Sequence, residues 1–334
     1  MVAPEAPAIL LLPFAKEFTM EPYAIVDLHC DTLTRWKKAG DENLDTLEDP
    51  QQVLSLSALP ESVKWAQFYA IYVPDPLRGP EAADFYEISR RSFVRQTEKF
   101  SDRIAPCETA AHMEAAWEAG KTAAFLTVEN GSVLLGDLSR VGLLRRHGVR
   151  CMTLTWNMEN EIASGHDSDH GFSPFGREAV GEMEREGILV DVSHLNDRGF
   201  EELMAFVKKP FVASHSNARS ICSHRRNLTD DMIREMVKRN CLVGLNYCKS
   251  FLAEGGVETG PEQILAHIQH FIKLGGEKIL ALGSDFDGAP LPDYLSSPTK
   301  VARLYDYLLA QGLPRSLADG IFFENARRFF AENL

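Results

Sequence analysis

Short apolar runs of strand length recur along the whole chain, separated by longer segments whose apolar residues fall at helical spacing. The runs predict eight strands: Ala24–Leu28, Ala66–Val73, Ala123–Val128, Cys151–Thr155, Ile188–Val192, Phe211–Ala213, Cys241–Asn246 and Ile279–Leu282. The intervening periodicity predicts helices over Ala83–Lys99, Glu114–Glu118, Leu138–His147, Gly176–Glu186, Asp197–Val207, Asp230–Lys238 and Pro261–Leu274, with more helix from Thr299 onward. Asn240 and the Gly275-Gly276 pair stand where the helices before the last two strands should stop, and both residue types tolerate the left-handed turn of a helix C-terminus. Strands that alternate with helices signal parallel α/β architecture. Eight such units fit a (β/α)8 TIM barrel, whose usual size is about 250 residues plus insertions, with a doubly wound open sheet as the alternative. No fixed-period repeat or Pro/Ser-rich linker divides the chain. The expectation is a single (β/α)8 domain over residues 21–334, preceded by an N-terminal extension, residues 1–20, that is a candidate for disorder.

Composition narrows the class further. The 334 residues are 45% hydrophobic and 25% charged, enough apolar material for a large core. A formal charge of −13 argues against nucleic acid and against an anionic membrane, since both select for surplus Lys and Arg. The six cysteines are scattered, with no C-x-x-C pair, and read as free thiols in a reducing compartment, the cytoplasm. The apolar run at Ile9–Phe14 has no preceding basic residue and is broken by Pro13, so it reads as neither a signal peptide nor a membrane span. The chain's end likewise carries no long apolar tail of the lipid-anchor type.

Polar residues cluster immediately after the predicted strands, which in an α/β barrel is the catalytic face. The first strand runs into Asp27-Leu-His29-Cys-Asp31, the third into Glu129-Asn-Gly, and the fifth into Asp191-Val-Ser-His194. The sixth runs into Ser214-His215-Ser-Asn and the eighth into Gly283-Ser-Asp285-Phe-Asp287-Gly. His29 and Asp31, two apart in an extended segment, point to one side and can share a metal. With His194, His215 and Glu129 they supply the N and O donors that zinc accepts. Five protein ligands exceed the three of a typical mononuclear catalytic zinc, so two Zn2+ fit better, bridged by Glu129 from the strand between the two groups. Asp285 is the candidate general base; Asp287 is the alternative, but it precedes Gly288 in what reads as a turn. Arg225 and Arg226 are candidates to bind a substrate carboxylate. Nucleophile-elbow, phosphate-loop, dinucleotide and H-E-x-x-H motifs are absent. Phe322, Phe323, Phe329 and Phe330 read as packing for a terminal helix.

At these residues the sequence resembles the membrane (renal) dipeptidase family of binuclear zinc hydrolases with a (β/α)8 fold. The segments D-L-H-C-D-T, T-V-E-N-G, V-D-V-S-H, S-H-S-N-A-R, the following R-R-N, and G-S-D-F-D-G occur in the family's order and approximate spacing. The resemblance implies that His29 and Asp31 bind one zinc, His194 and His215 the other, and that Glu129 bridges them. It also implies that Asp285 handles protons, that Arg226 holds the substrate's terminal carboxylate, and that the substrates are dipeptides, including those with a C-terminal D-residue. A homodimer is the expectation by the same analogy and because symmetric dimers are the commonest soluble oligomers. One position departs from the pattern: mammalian members carry a substrate-contacting histidine after T-L-T, whereas here Thr153-Leu-Thr155 is followed by Trp156-Asn157. An indole neither accepts a hydrogen bond nor titrates, so polarising the scissile carbonyl falls to the metal, to Asn157 as a substrate-binding residue, or to another group. Two readings compete: a related barrel hydrolase acting on a lactam, lactone, phosphoester or N-acyl amino acid, and a catalytically silent barrel, which would lack a ligand.

Overall fold

The computed structural model describes residues 23–35 and 43–334, and the expectation for residues 1–20 lies outside them. Nine strands are present: β1 (Ala24–Cys30), β2 (Lys64–Tyr72), β3 (Ile104–Cys107), β4 (Thr122–Glu129), β5 (Val149–Thr153), β6 (Leu189–Asp191), β7 (Val212–Ala213), β8 (Leu242–Leu245) and β9 (Leu280–Leu282). All pairings are parallel. Neighbours run β1-β2-β4-β5-β6-β7-β8-β9, and β9 returns to β1 through the pair Asp27 and Leu282, closing an eight-stranded barrel. The expected (β/α)8 barrel is therefore the fold, and an open doubly wound sheet is excluded by that closure. Each of the eight predicted strands is one of these eight.

The ninth strand, β3, was not predicted. It pairs with the first half of β4, from Ile104 opposite Thr122 to Cys107 opposite Phe125, and β5 takes over along the same strand from Leu126. Its sequence, I-A-P-C, is short and holds a proline, which cannot donate to a ladder and confines such a run to an edge. The strand lies beside the barrel and leaves the mouth unaffected.

Side-chain caps fix where the helices begin after the strands. Ser173 accepts from the Gly176 N–H at the start of helix Pro174–Glu186, and Asn196 accepts from the Gly199 N–H at the start of Asp197–Leu203. The second cap lies two residues after His194, so the turn that starts the helix also fixes the segment carrying that imidazole. The predicted stops are correct at Asn240 (φ 52°) and Gly275 (φ 86°), both left-handed. From each, the chain turns back through a bond to the helix's last turn: Cys241 N to Met236 O, 3.0 Å, and Gly276 N to Phe271 O, 2.9 Å. The terminal helical region is three pieces, Arg315–Asp319, a π-helical turn Gly320–Glu324, and Asn325–Asn333. Phe330 from the last piece stacks on Phe68, with centroids 5.1 Å apart, and leans on Phe125 at 5.3 Å, so these aromatics serve as packing. All six cysteines are free and buried, and no helix among the described residues is long and apolar enough to cross a membrane.

Close backbone approach between neighbouring strands depends on Gly244 in β8. A Cβ there would collide with the carbonyl oxygen of Ser214 and stand 3.0 Å from Gly283 Cα, beside the loop that carries His215. Gly244→Ala is expected to destabilise the fold by about 1–3 kcal/mol through overpacking, read as a lower urea midpoint at unchanged slope.

Candidate metal centre and active-site cavity

The chain delivers its polar residues to one end of the barrel, where they converge on Glu129. This residue ends β4 and is buried. Its Oε1 is 2.9 Å from His194 Nε2 and 3.6 Å from His215 Nε2, while its Oε2 is 3.7 Å from His29 Nε2. His29 Nε2 also stands 3.7 Å from Asp31 Oδ1, as the two-residue spacing predicts. The His29 and His215 rings stack with centroids 3.9 Å apart. Among the described residues, two groupings are tight enough to hold an ion: His29 with Glu129 and His215, and His29 with Asp31 and Asp285.

Local structure aims these rings. In β1, Asp27 pairs with Gln67 and Cys30 with Tyr69, so three residues oppose two and the strand bulges at His29. The buried Asp27 carboxylate holds that bulge, accepting from His29 N (3.1 Å), Gln67 Nε2 (2.9 Å), and both Ser284 N and Ser284 Oγ (3.1 Å each). Burial raises its carboxyl to about 6 despite these donors. At β6, Asp191 does the corresponding work: Oδ1 accepts from Ser193 N and Ser214 N, both 2.9 Å, and Oδ2 from Thr153 Oγ1 and Ser214 Oγ at 2.6 and 2.5 Å. Neither carboxylate had an assigned role in the sequence, although both sit inside the motifs, Asp27 before His29 and Asp191 before His194.

The ring tautomers follow from these partners. Ser214 spends its one proton on Asp191, so its oxygen accepts the N–H of His215 Nδ1 at 2.8 Å. His194 Nδ1 meets Asn157 Oδ1 at 2.9 Å, an acceptor. Both Nε2 atoms therefore present lone pairs, yet they stand 3.0 Å apart against a carboxylate oxygen. Burial lowers the pKa of both rings well below the usual histidine value, and Arg226 adds to this. Burial lowers His29 to about 3, and its Nε2 has no hydrogen-bond partner. Lone pairs converging in a buried site fit a cation, and N/O donors of this kind suit zinc.

Asp285 and Asp287 separate clearly. Asp287 is fully engaged: Oδ1 accepts from Val53 N at 2.7 Å, and Oδ2 from Thr32 Oγ1 at 2.6 Å and Leu54 N at 3.3 Å. Asp285 faces the cluster with Asn246 Nδ2 on its Oδ2 at 3.1 Å, and burial raises its carboxyl against the pull of Asn246 and Arg226. His194, Asp285 and Asp287 all carry positive φ (71°, 60° and 66°), a conformation that costs of order 1–3 kcal/mol each and clusters at functional sites.

The arginine pair separates too. Arg225 is 64% exposed at its side chain and pairs with Asp169, whereas Arg226 is 4% exposed and forms no ion pair among the described residues. Its Nε has no partner and its Nη2 reaches only the His215 carbonyl, at 3.4 Å. The cluster opens into a cavity of about 760 Å³ whose walls include Tyr72, Phe85, Trp156, Phe251 and Pro290. Trp156 lies edge-on to Tyr72 at 4.9 Å. Asn157 lines the same cavity, but its side-chain oxygen is held by His194. His166, His224 and Arg35 also face it, and sequence reasoning had singled out none of them.

A (β/α)8 barrel with imidazoles and carboxylates converging at its C-terminal mouth is an arrangement that can hold a metal ion at the barrel's catalytic face. The family model of membrane dipeptidases, peptidase family M19, matches residues 15–333, and the chain belongs to that family. It is accordingly a metallopeptidase-family hydrolase acting on peptide bonds, with a small peptide as its class of substrate. Among solved structures it is similar to dipeptidase AC, a family M19 metallopeptidase (28% identity, TM-score 0.89, 94% of this chain and 99% of that one). It is equally similar to a Rhodobacter sphaeroides metallopeptidase liganded with a phosphinate mimic of the dipeptide L-Ala-D-Ala (27% identity, TM-score 0.89, 94% and 100%). A Klebsiella pneumoniae protein, uncharacterized and encoded in the pqqA 5' region, is 31% identical over 234 residues, covering 67% of this chain and 86% of that protein.

Asp287 ties the β9 loop to residues 32 and 53–54, so Asp287→Ala strands three donors. A loss of about 2–4 kcal/mol of unfolding free energy is expected, measured by urea denaturation.

Proposed function

We propose that the chain is a zinc dipeptidase in which His29, Asp31, Glu129, His194 and His215 would hold two Zn2+. The observation that carries the dipeptide reading is Arg226, a buried guanidinium without a carboxylate partner beside the cluster. A buried charge of this kind is costly until an anion arrives. The terminal carboxylate of a very short peptide is an anion that reaches it while the scissile bond lies at the cluster. Zinc held among these side chains supplies Lewis acidity and makes water a nucleophile near neutral pH.

Within the chain, Asp285 takes the proton from the water that adds to the scissile carbonyl and passes it to the leaving nitrogen. Burial favours that step, because a carboxyl raised above its usual range accepts a proton more readily, and Asn246 keeps its Oδ2 turned to one side. Asn157 and Ser214 hold His194 and His215 with their Nε2 lone pairs inward, and such supporting partners typically matter about 10–100-fold in metal affinity. A cytoplasmic setting suits the six free, buried thiols.

The test is a panel of L,L- and L,D-dipeptides, each paired with its C-terminal amide, given to zinc-loaded enzyme. Free acids should be cleaved and amides spared, and Arg226→Ala should raise KM for the free acids about 10- to 100-fold while narrowing that preference. Cleavage of lactams or N-acyl amino acids but of no dipeptide would overturn the reading. Asp285→Asn should keep its zinc and lose about 100- to 10,000-fold in kcat; near wild-type turnover would remove Asp285 from the mechanism.

A further inference from the structure

His166 stands in the cavity wall, and its buried Nδ1 has no hydrogen-bond partner among the described residues. The acidic atom nearest its Nε2 is Asp167 Oδ1, 3.5 Å away on a side chain that is largely in solvent. That separation lies beyond a good N–H···O bond. A largely buried imidazole left this way is costly unless a ligand completes it.

The backbone around it is held tightly. Gly165 N donates to Met158 O and Asp167 N to Asn157 O, both 2.9 Å, and Gly165 bridges to Leu195, next to His194. Asn196 Nδ2 binds the Ser168 and His170 carbonyls at 2.6 and 2.7 Å. A Cβ on Gly165 would strike the carbonyl oxygens of Trp156 and Asn157, so the loop lies flat on that segment. The imidazole is thus fixed relative to the cluster.

Its ring centroid is 6.0 Å from that of His194 and 6.2 Å from that of His224, whose Nδ1 accepts the Arg226 backbone N–H at 3.2 Å. His166 therefore neighbours both a cluster imidazole and the imidazole that holds the Arg226 backbone. In a dipeptide the scissile carbonyl carbon and the terminal carboxylate carbon are three bonds apart, so a cavity-wall group this close to the cluster is within reach of the scissile amide. Asn157 is oriented by the bond its oxygen accepts from His194, and Trp156 sets its ring against Tyr72, whereas no hydrogen bond among the described residues orients His166. We propose that His166 donates an imidazole N–H to the scissile carbonyl oxygen as negative charge develops on it, an assignment that rests on the dipeptidase reading above. No partner pins either nitrogen, so the neutral ring is free to present the N–H.

The test compares wild type, His166→Ala and His166→Asn, all zinc-loaded, in steady-state dipeptide hydrolysis, in zinc content, and in affinity for the phosphinate mimic of L-Ala-D-Ala. His166→Ala should lower kcat about 100-fold with KM within about threefold and zinc content unchanged. Phosphinate affinity should fall by a comparable factor, and the amide donor of His166→Asn should restore part of both. A kcat within twofold of wild type, a loss confined to KM, or a loss explained by missing zinc would overturn the proposal. Wild-type enzyme that binds the phosphinate but cleaves no dipeptide would sink the dipeptidase reading alone, and the affinity series would still decide His166. Wild-type enzyme that does neither would overturn both.

Discussion

The convergence of three imidazole nitrogens on the Glu129 carboxylate is the constraint around which the mouth of the barrel is built. Each of these groups is buried, none gives Glu129 a fixed proton, and two of the nitrogens stand 3.0 Å apart with lone pairs facing. Desolvation pushes the Glu129 carboxyl well up and, together with nearby charges, the imidazoles down. A cation placed among them would favour the ionised carboxylate and use the lone pairs of the neutral rings. The apolar barrel, with β1 to β9 buried along most of their length, supplies the stability that holds such a site before the cation arrives.

The buried carboxylates of the molecule sort by the number of donors aimed at them. Asp27, Asp191 and Asp287 each accept three or more hydrogen bonds, and each joins segments far apart in sequence. Asp27 links β1 to β2 and to the end of β9; Asp191 links β5, β6 and the end of β7. Glu129 and Asp285 are comparably buried yet receive few donors, and both line the cavity. The first group holds the strand ends in register, and the second is the group to which the proposed chemistry is assigned.

Charge is arranged with similar economy on the substrate side. Arg226 acts electrostatically on all three cluster imidazoles and on Asp285, and its guanidinium lies 5.3 Å over the Phe251 ring. An aromatic face and a distant carbonyl stabilise it only in part, so its binding capacity stays directed at an incoming anion. His166 and Asn157 come from one loop segment, and that segment is pressed on Trp156 by a glycine with no room for a side chain. The same few residues thereby orient a cluster imidazole and present a second imidazole to the cavity.

Periodicity of apolar residues determined the eight strands, most of the helices and the barrel, because burying a parallel strand under a helix leaves a pattern in every unit. The motifs after the strands likewise marked His29, Asp31, Glu129, His194, His215 and Asp285 as residues that meet at one end of the barrel, since a strand's end fixes which side of the fold its next residues reach. What sequence left open depended on distances between segments remote in the chain. Arg225 and Arg226 are adjacent and chemically identical, and only tertiary packing exposes one and buries the other. Asp285 and Asp287 share one motif, and it was the approach of residues 32 and 53–54 that engaged Asp287. β3 was hidden by its proline and its place beside the barrel, and His166 by a loop with no periodicity to locate it. Whether a polar side chain is satisfied or left open is a property of its neighbours in space, which the order of residues along the chain does not specify.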